Sequence, residues 1–231
     1  MEINADWEKA LQELENDYPY SQKVTLENTY GMHFYSKLPI KTAKTHFFVT
    51  DDIPSVEAIL TTEDHLEFVF SGVQPPPPIP TEEKTSEERD DDLLSVAKRL
   101  KEINLPSVVV GDFNNVAWSK SSILFRKISE LIDPRIGYGF VSTFHAKYRF
   151  FRFPIDLLFH SPTIFIKQLK TLEAFGSDHL AVFCEFFIHH KEELQEDKVE
   201  CATSEEKREA KEMINEGIQE EGDRNTIAKE D

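Results

Sequence analysis

At 231 residues the chain has room for one large domain or two small ones, and 39% hydrophobic and 11% aromatic residues supply material for a sizeable core. A net charge of −17 and only two cysteines exclude a broad basic face for nucleic acid, a disulfide-stapled scaffold and a Cys/His zinc module. No apolar stretch reaches the roughly 20 residues of a membrane span and no basic-then-apolar leader is visible, so the cytoplasm is the default location.

The chain opens on Met1-Glu2-Ile3-Asn4 and runs into a helical pattern, with Asp6 as cap and Trp7, Ala10, Leu11 and Leu14 at helical spacing; Tyr18-Pro19-Tyr20 ends it. Four short apolar runs follow, Tyr30 to Tyr35, Thr45 to Thr50, Ser55 to Thr61 and Leu66 to Val73, each read as a strand between polar or proline-bearing turns. Gln74 and the prolines 75 to 78 make a stiff extended spacer. A second helix begins at Thr85 or Ser86 and carries Leu93, Leu94, Ala97 and Leu100 on one face. Val108-Val109-Val110, closed by Gly111, has the marks of a buried strand. A third helix is expected over about Ser121 to Leu131, then strands around Val141, Ile155, Ile164 and Leu180 to Ile188. Strands with a few intervening helices point to an α/β layered domain.

From about His189 the composition changes. Lys191 to Asp231 is dominated by charged residues, with Ala210, Met213, Ile214 and Ile218 as a thin apolar stripe. The reading is a domain over residues 1–190 and an acidic tail over 191–231, helical or disordered and solvated.

Three motifs carry chemistry. In Gly111-Asp112-Phe113-Asn114, an extended chain puts Asp112 and Asn114 on one face and turns Phe113 into the core. A carboxylate that activates water beside an amide that holds a phosphoryl oxygen suits phosphoester hydrolysis; an ordinary Asx turn is the plain alternative. In Gly176-Ser177-Asp178-His179, the carboxylate suits a divalent cation and the imidazole suits phosphate. Asp156 is the lone acid in the apolar run Phe153 to Phe159, and a buried Asp needs a partner; His179 is the candidate. Before it, Lys147 to Phe153 interleaves cations with aromatics, so Arg149 and Arg152 are candidate substrate contacts on a lip over the site; an ordinary hairpin is the alternative.

In this order and spacing, the three motifs resemble the endonuclease/exonuclease/phosphatase family, also called DNase I-like, and most closely its bacterial members named only for the domain. Trp7, Tyr18-Pro19-Tyr20, the segment Tyr30 to Pro39, Glu88-Arg89-Asp90 and Thr143 to Lys147 add to the likeness. The resemblance implies a two-sheet β-sandwich flanked by helices, and a hydrolase of phosphodiesters or phosphomonoesters using Mg²⁺ or Mn²⁺. It implies that Asp112 orients the water, Asn114 contacts phosphate, His179 paired with Asp156 acts on the phosphate side, and Asp178 and Glu2 serve the metal. The implied partner is a phosphate-bearing substrate, small or an end of nucleic acid. The sequence also departs from the pattern: the strands that precede Glu2 in the family are not in the chain, Gln74 stands where His is usual, and Leu157 replaces a frequent His. These departures imply an N-terminally truncated sandwich with weakened activity, and as the alternative a non-catalytic relative that binds a phosphorylated ligand or a protein.

Overall fold

The computed structural model describes residues 1–48, 50–77, 83–135, 137–139, 141–189 and 195–227. Its centre is a five-stranded sheet made of β3 (Ile40–His46), β4 (Ser55–Thr61), β5 (Glu67–Val73), β6 (Ser107–Asp112) and β7 (Asp156–His160), in that spatial order. β5 and β6 are the parallel pair, and all other neighbours are antiparallel. A parallel pair needs a long crossover, and the segment carrying helix α2 (Glu83–Glu102) supplies it.

Alternation along the strands divides the side chains between two layers. Val73, Val109 and Phe159 face α2 and α3 (Lys120–Ser129), where they bury Leu93, Val96, Ala97, Leu100, Phe113 and Phe125. Phe113, Phe125 and Phe159 form a triangle with ring centroids 5.1–5.4 Å apart. The bidentate Arg99–Glu57 pair, both bonds 2.9 Å, fastens α2 to β4. On the opposite face, Val108 and Leu158 meet Ile164 and Leu169 of a two-stranded ribbon, β8 (Ile164–Thr171) and β9 (Val182–Ile188).

A second ribbon, β1 (Tyr20–Val24) and β2 (Met32–Ser36), lies over β5: Phe34 stacks on Phe70 at 4.6 Å, and a Cβ at Gly72 would come within 2.9 Å of the Met32 sulfur. The outer layer is therefore two half-sheets. An apolar cavity of about 420 Å³ opens beside them, lined by Met1, Phe70, Val108, Val110, Val182 and Phe186 among others.

The structure revises several element expectations. Asn4, not Asp6, caps α1 (Ala5–Ala10) through a 3.0 Å bond from the Trp7 amide. The helix then tightens into a 3₁₀ turn over Gln12–Asn16, because no residue of it is buried and nothing packs it into a longer α-helix. The strand expected at 45–50 runs earlier, at Ile40–His46, and Val49 lies outside the described residues. Val141 is a buried loop residue and not part of a strand.

The acidic tail differs most from its sequence reading. Helix α4 (Ser204–Ile227) buries Ala210 and Ile214 against Leu94 and Leu124. Ion pairs Arg126–Glu200 and Lys127–Glu206, at 2.9 and 2.6 Å, flank that contact. A stripe two residues wide suffices because α2 and α3 present a matching apolar seam. Residues 190–194, where composition puts the boundary, and 228–231 lie outside the described residues, as do Pro78 and the rest of 78–82.

Candidate active site

β5, β6 and β7 bring their site residues to one rim. Val73 is in register with Gly111, and Asp112 with Asp156. Gln74, Asp112 and Asp156 therefore leave the sheet together. Gly111 is required there because a Cβ would meet the Val73 carbonyl oxygen at 1.8 Å. His179 comes from the other layer. The loop before β9 is pinned to the central sheet by Leu180 N–H to Thr143 C=O (3.0 Å), Ala146 N–H to Asp178 C=O (2.6 Å) and Asp156 N–H to the Thr143 hydroxyl (3.3 Å). The Phe144 ring backs the imidazole at 5.0 Å.

His179 Nδ1 lies 2.8 Å from Asp156 Oδ2, and its Nε2 lies 3.9 Å from Asp112 Oδ2. One ligand atom each from Asp112, Asp156 and His179 falls within 4.8 Å of the others. The hydrogen bond to Asp156, which outweighs the effect of burial, raises His179 to about 9, so the imidazole is a cation at neutral pH. Asp112 is pushed up to about 6, first by burial and then by the Asp156 charge, against the pull of the Asn114 amide and His179. A carboxyl near neutrality beside an imidazolium is the pairing that acid–base chemistry at pH 7 requires.

Asn114 reaches the site by a turn and not by strand alternation. The strand ends at Asp112, and Asn114 adopts a left-handed φ of 48°, its N–H returning to Asp112 Oδ1 at 2.9 Å. Its side-chain amide donates to the Pro75 carbonyl at 2.9 Å, which leaves one amide hydrogen for a ligand. The Asx turn and the functional grouping are thus one geometry. Gln74 is 5% exposed, and its Oε1 has no partner among the described residues.

The remaining candidates sit farther out. Glu2 is exposed at φ 59°, close enough to Asp112 to contribute to its raised pKa, while Ile3 bonds with Gly31 and Leu26. The Asp178 carboxylate is exposed and helps hold the proton on His179. The lip is a 3₁₀ turn, Arg149–Phe151, inside a loop that the antiparallel Phe144–Phe153 bridge closes. Phe150 and Phe151 are 95% and 75% exposed. Arg149 is exposed, whereas the Arg152 guanidinium donates to the carbonyls of His145 and Ala146 and so braces its own loop. Sequence reasoning gave no role to Thr143, which ties the His179 loop to β7. A fully buried threonine between the motifs is visible only once the fold is known.

The donors that converge, Asp112, Asp156 and His179, could hold a metal ion, and the two carboxylates suit a hard divalent cation; Glu2 and Asp178 fall outside that group and reach it only through their charge on Asp112 and His179. No described helix is long and apolar enough to cross a membrane.

Comparison with known proteins places this arrangement. The solved structure of a humanized D. rerio TDP2 carrying 14 mutations has a TM-score of 0.65 and 14% identity, covering 80% of this chain and 83% of that one. The Bacteroides thetaiotaomicron mannosyl-6-phosphatase has a TM-score of 0.59 and 19% identity, covering 78% and 82%. The human Nocturnin catalytic domain, solved with a bound sulfate anion, has a TM-score of 0.58 and 13% identity, covering 80% and 76%. No curated protein matches the sequence. At these identities the structures share the fold, an α/β architecture with a central sheet and flanking helices. A model of the Endonuclease/Exonuclease/phosphatase family matches residues 1–179, so with the Gly-Asp-Phe-Asn turn and the His179–Asp156 pair at one rim, the chain belongs to the endonuclease/exonuclease/phosphatase family.

Proposed function

We propose that the chain is a phosphoester hydrolase that works with a divalent cation, Mg²⁺ or Mn²⁺, on a small phosphorylated substrate or a nucleic-acid end. The observation that carries this reading is the convergence of Asp112, Asp156 and His179, with ligand atoms within 4.8 Å, at the rim where Asn114 and Gln74 also emerge. When bound, the cation would polarise a phosphoryl oxygen and offset its charge; Glu2 and Asp178, whose charges act on Asp112 and His179, are the residues assigned to it.

The chain's own groups have separable tasks. Asp112, with a pKa near 6, holds an attacking water and takes its proton. His179 is charged at neutral pH and directs Nε2–H at a phosphoryl oxygen, where negative charge grows as the bond to the leaving group weakens. Asp156 holds the ring's orientation and its charge by accepting Nδ1–H. The free amide hydrogen of Asn114 is a second phosphate donor, and Gln74 a neutral third. Arg149 is the exposed cation of the lip, while Arg152 serves by holding the lip's shape.

Hydrolysis of bis(p-nitrophenyl) phosphate with Mg²⁺ and with Mn²⁺ tests the proposal, measured beside Asp112→Ala and Gln74→His. Turnover is expected to be weak in the native chain, to rise in Gln74→His, and to fall by about a hundredfold or more in Asp112→Ala. Turnover unaffected by Asp112→Ala would remove Asp112 from the mechanism. Absent turnover in every version, with inorganic phosphate still bound, would leave the non-catalytic binding reading. Gln74 favours that reading, because it cannot supply a proton or a positive charge.

A further inference from the structure

Behind the rim lies a polar cluster that the proposed chemistry does not use. Arg89 of α2 is 8% exposed, deep enough that its charge needs partners. Nε and Nη2 both contact Asp90 Oδ1 at 2.8 Å, and Nη1 donates to the Asn114 carbonyl at 3.3 Å. The same Asp90 oxygen faces the Asn115 side-chain amide at 3.5 Å, and that amide donates to the Ser121 hydroxyl at 2.7 Å. Asn114 and Asn115, the two residues after the Asp112-Phe113 step, are thus both tied to helices, to α2 through Arg89–Asp90 and to α3 through Ser121.

Asn114 needs such a tie. Its left-handed φ of 48° costs roughly 1–2 kcal/mol in an ordinary residue and less in Asn, so the surroundings must hold it. Three anchors do so: N–H to Asp112, side-chain amide to Pro75, and carbonyl to Arg89. The first two involve site residues or their immediate loop. Of these three anchors, Arg89 is the one that comes from a helix of the interior, α2.

We propose that Arg89, seated on Asp90, is a positioning residue that locks the Asn114 turn and thereby presents Asp112 and Asn114 together to one phosphate. This rests on the hydrolase reading above. Arg89 touches no substrate; it acts through the Asn114 carbonyl. Freeing that carbonyl lets the turn rotate, and a misplacement of about 1 Å in a reacting group costs up to about a hundredfold in rate.

The test uses the full chain as Arg89→Met and Arg89→Lys, with kcat and KM for bis(p-nitrophenyl) phosphate and with amide hydrogen exchange. Arg89→Met is expected to lose about ten- to a hundredfold in kcat with KM within about twofold. Arg89→Lys, which keeps a charged donor, should recover part of that loss. In Arg89→Met, exchange at the Asn114 amide should quicken at least about tenfold while Val108 and Val109 keep their protection. Unchanged kcat and unchanged Asn114 exchange in folded Arg89→Met would overturn the proposal. So would equal loss of protection across β6, which would mean that Arg89 only stabilises the fold. Should the native chain turn over no phosphodiester, the phosphodiesterase form of the hydrolase reading falls, and the exchange measurement alone decides whether Arg89 locks the turn. Where Arg89→Met does not fold, the same split in Arg89→Lys, smaller in size, decides.

Discussion

Replacing Asp156 by Asn should move the titration of His179 downward by more than a pH unit. Asn keeps the shape and can still accept from Nδ1, so the imidazole stays in place while its stabilising charge disappears. In the native chain the 2.8 Å bond to Asp156 is the largest contribution raising His179 from 6.5 to about 9. That interval is worth about 3 kcal/mol, and solvent screening at a side chain 27% exposed trims the recoverable part to about 2 kcal/mol. Asp112, 3.9 Å away, keeps a little of the elevation. The midpoint is therefore expected between about 6.5 and 7.5, and the charged fraction at pH 7.5 should drop from nearly complete to a half or less. Asp112 should move down too, because the repulsion from Asp156 that helps raise it to about 6 is gone. Both limbs of the pH–rate profile then shift to lower pH, and the rate at pH 8 falls. The direct assay follows the His179 Cε1–H signal by carbon-edited NMR against pH without metal, assigned through His179→Gln. A midpoint still above about 8.5 in Asp156→Asn would refute the reasoning, since some other group would then be holding the proton.

Three further outcomes follow from the described packing. Ile214→Ala should cost about 2–4 kcal/mol, and calorimetry should show a fall of roughly 5–12 °C, because Ile214 is buried against α2 and α3; a change under about 2 °C would mean that α4 does not dock. Asp92 is fully buried and pushed up to about 7 by burial, whereas it titrates near 3.8 when exposed. The folded state thus keeps a proton that the unfolded state releases, so this group's contribution to stability is fullest below about pH 4 and is lost as pH rises to about 7. Asp92→Asn should flatten that slope and stabilise the chain by about 1–3 kcal/mol at pH 8 relative to native, read from urea melts at pH 5 and 8. Gly111→Ala should cost more than about 4 kcal/mol or prevent soluble expression, because its Cβ meets the Val73 carbonyl oxygen at 1.8 Å; a folded variant with native stability would show that β5 and β6 part more easily than their register implies.

The strands around the site were legible because the signals there were local and redundant. Ser55–Thr61 has the expected bounds, and β5 and β6 end where Gln74 and Gly111-Asp112 interrupt the apolar runs. The pairing of Asp156 with His179 was legible from chemistry, since a lone acid in an apolar run must find a donor. What was not legible depends on partners distant in sequence. Nothing in the charged run 191–231 announces that Leu94 and Leu124 expose a seam for Ala210 and Ile214. Strand alternation put Asn114 on the Asp112 face, whereas the residue leaves the strand at positive φ and returns its N–H to Asp112, which periodicity cannot foresee. Arg152 read as a substrate contact because a cation between aromatics looks free, while the carbonyls that engage it come from the other side of its own loop.

The split outer layer has a consequence for the order in which the molecule fails. Asp112 and Asp156 stand on the five-stranded sheet, whereas His179 enters from the loop that leads into the β8–β9 ribbon. A two-stranded ribbon has little stability of its own and holds only while it rests on its neighbour. Thermal or denaturant stress should therefore lift such a ribbon before the five-stranded sheet, in a partial opening that leaves β4, β5 and β6 protected. Such an opening withdraws the imidazole and leaves both carboxylates in place. Loss of the site's geometry should then precede loss of the fold, the outer half-sheet opening as a unit while the five-stranded sheet persists.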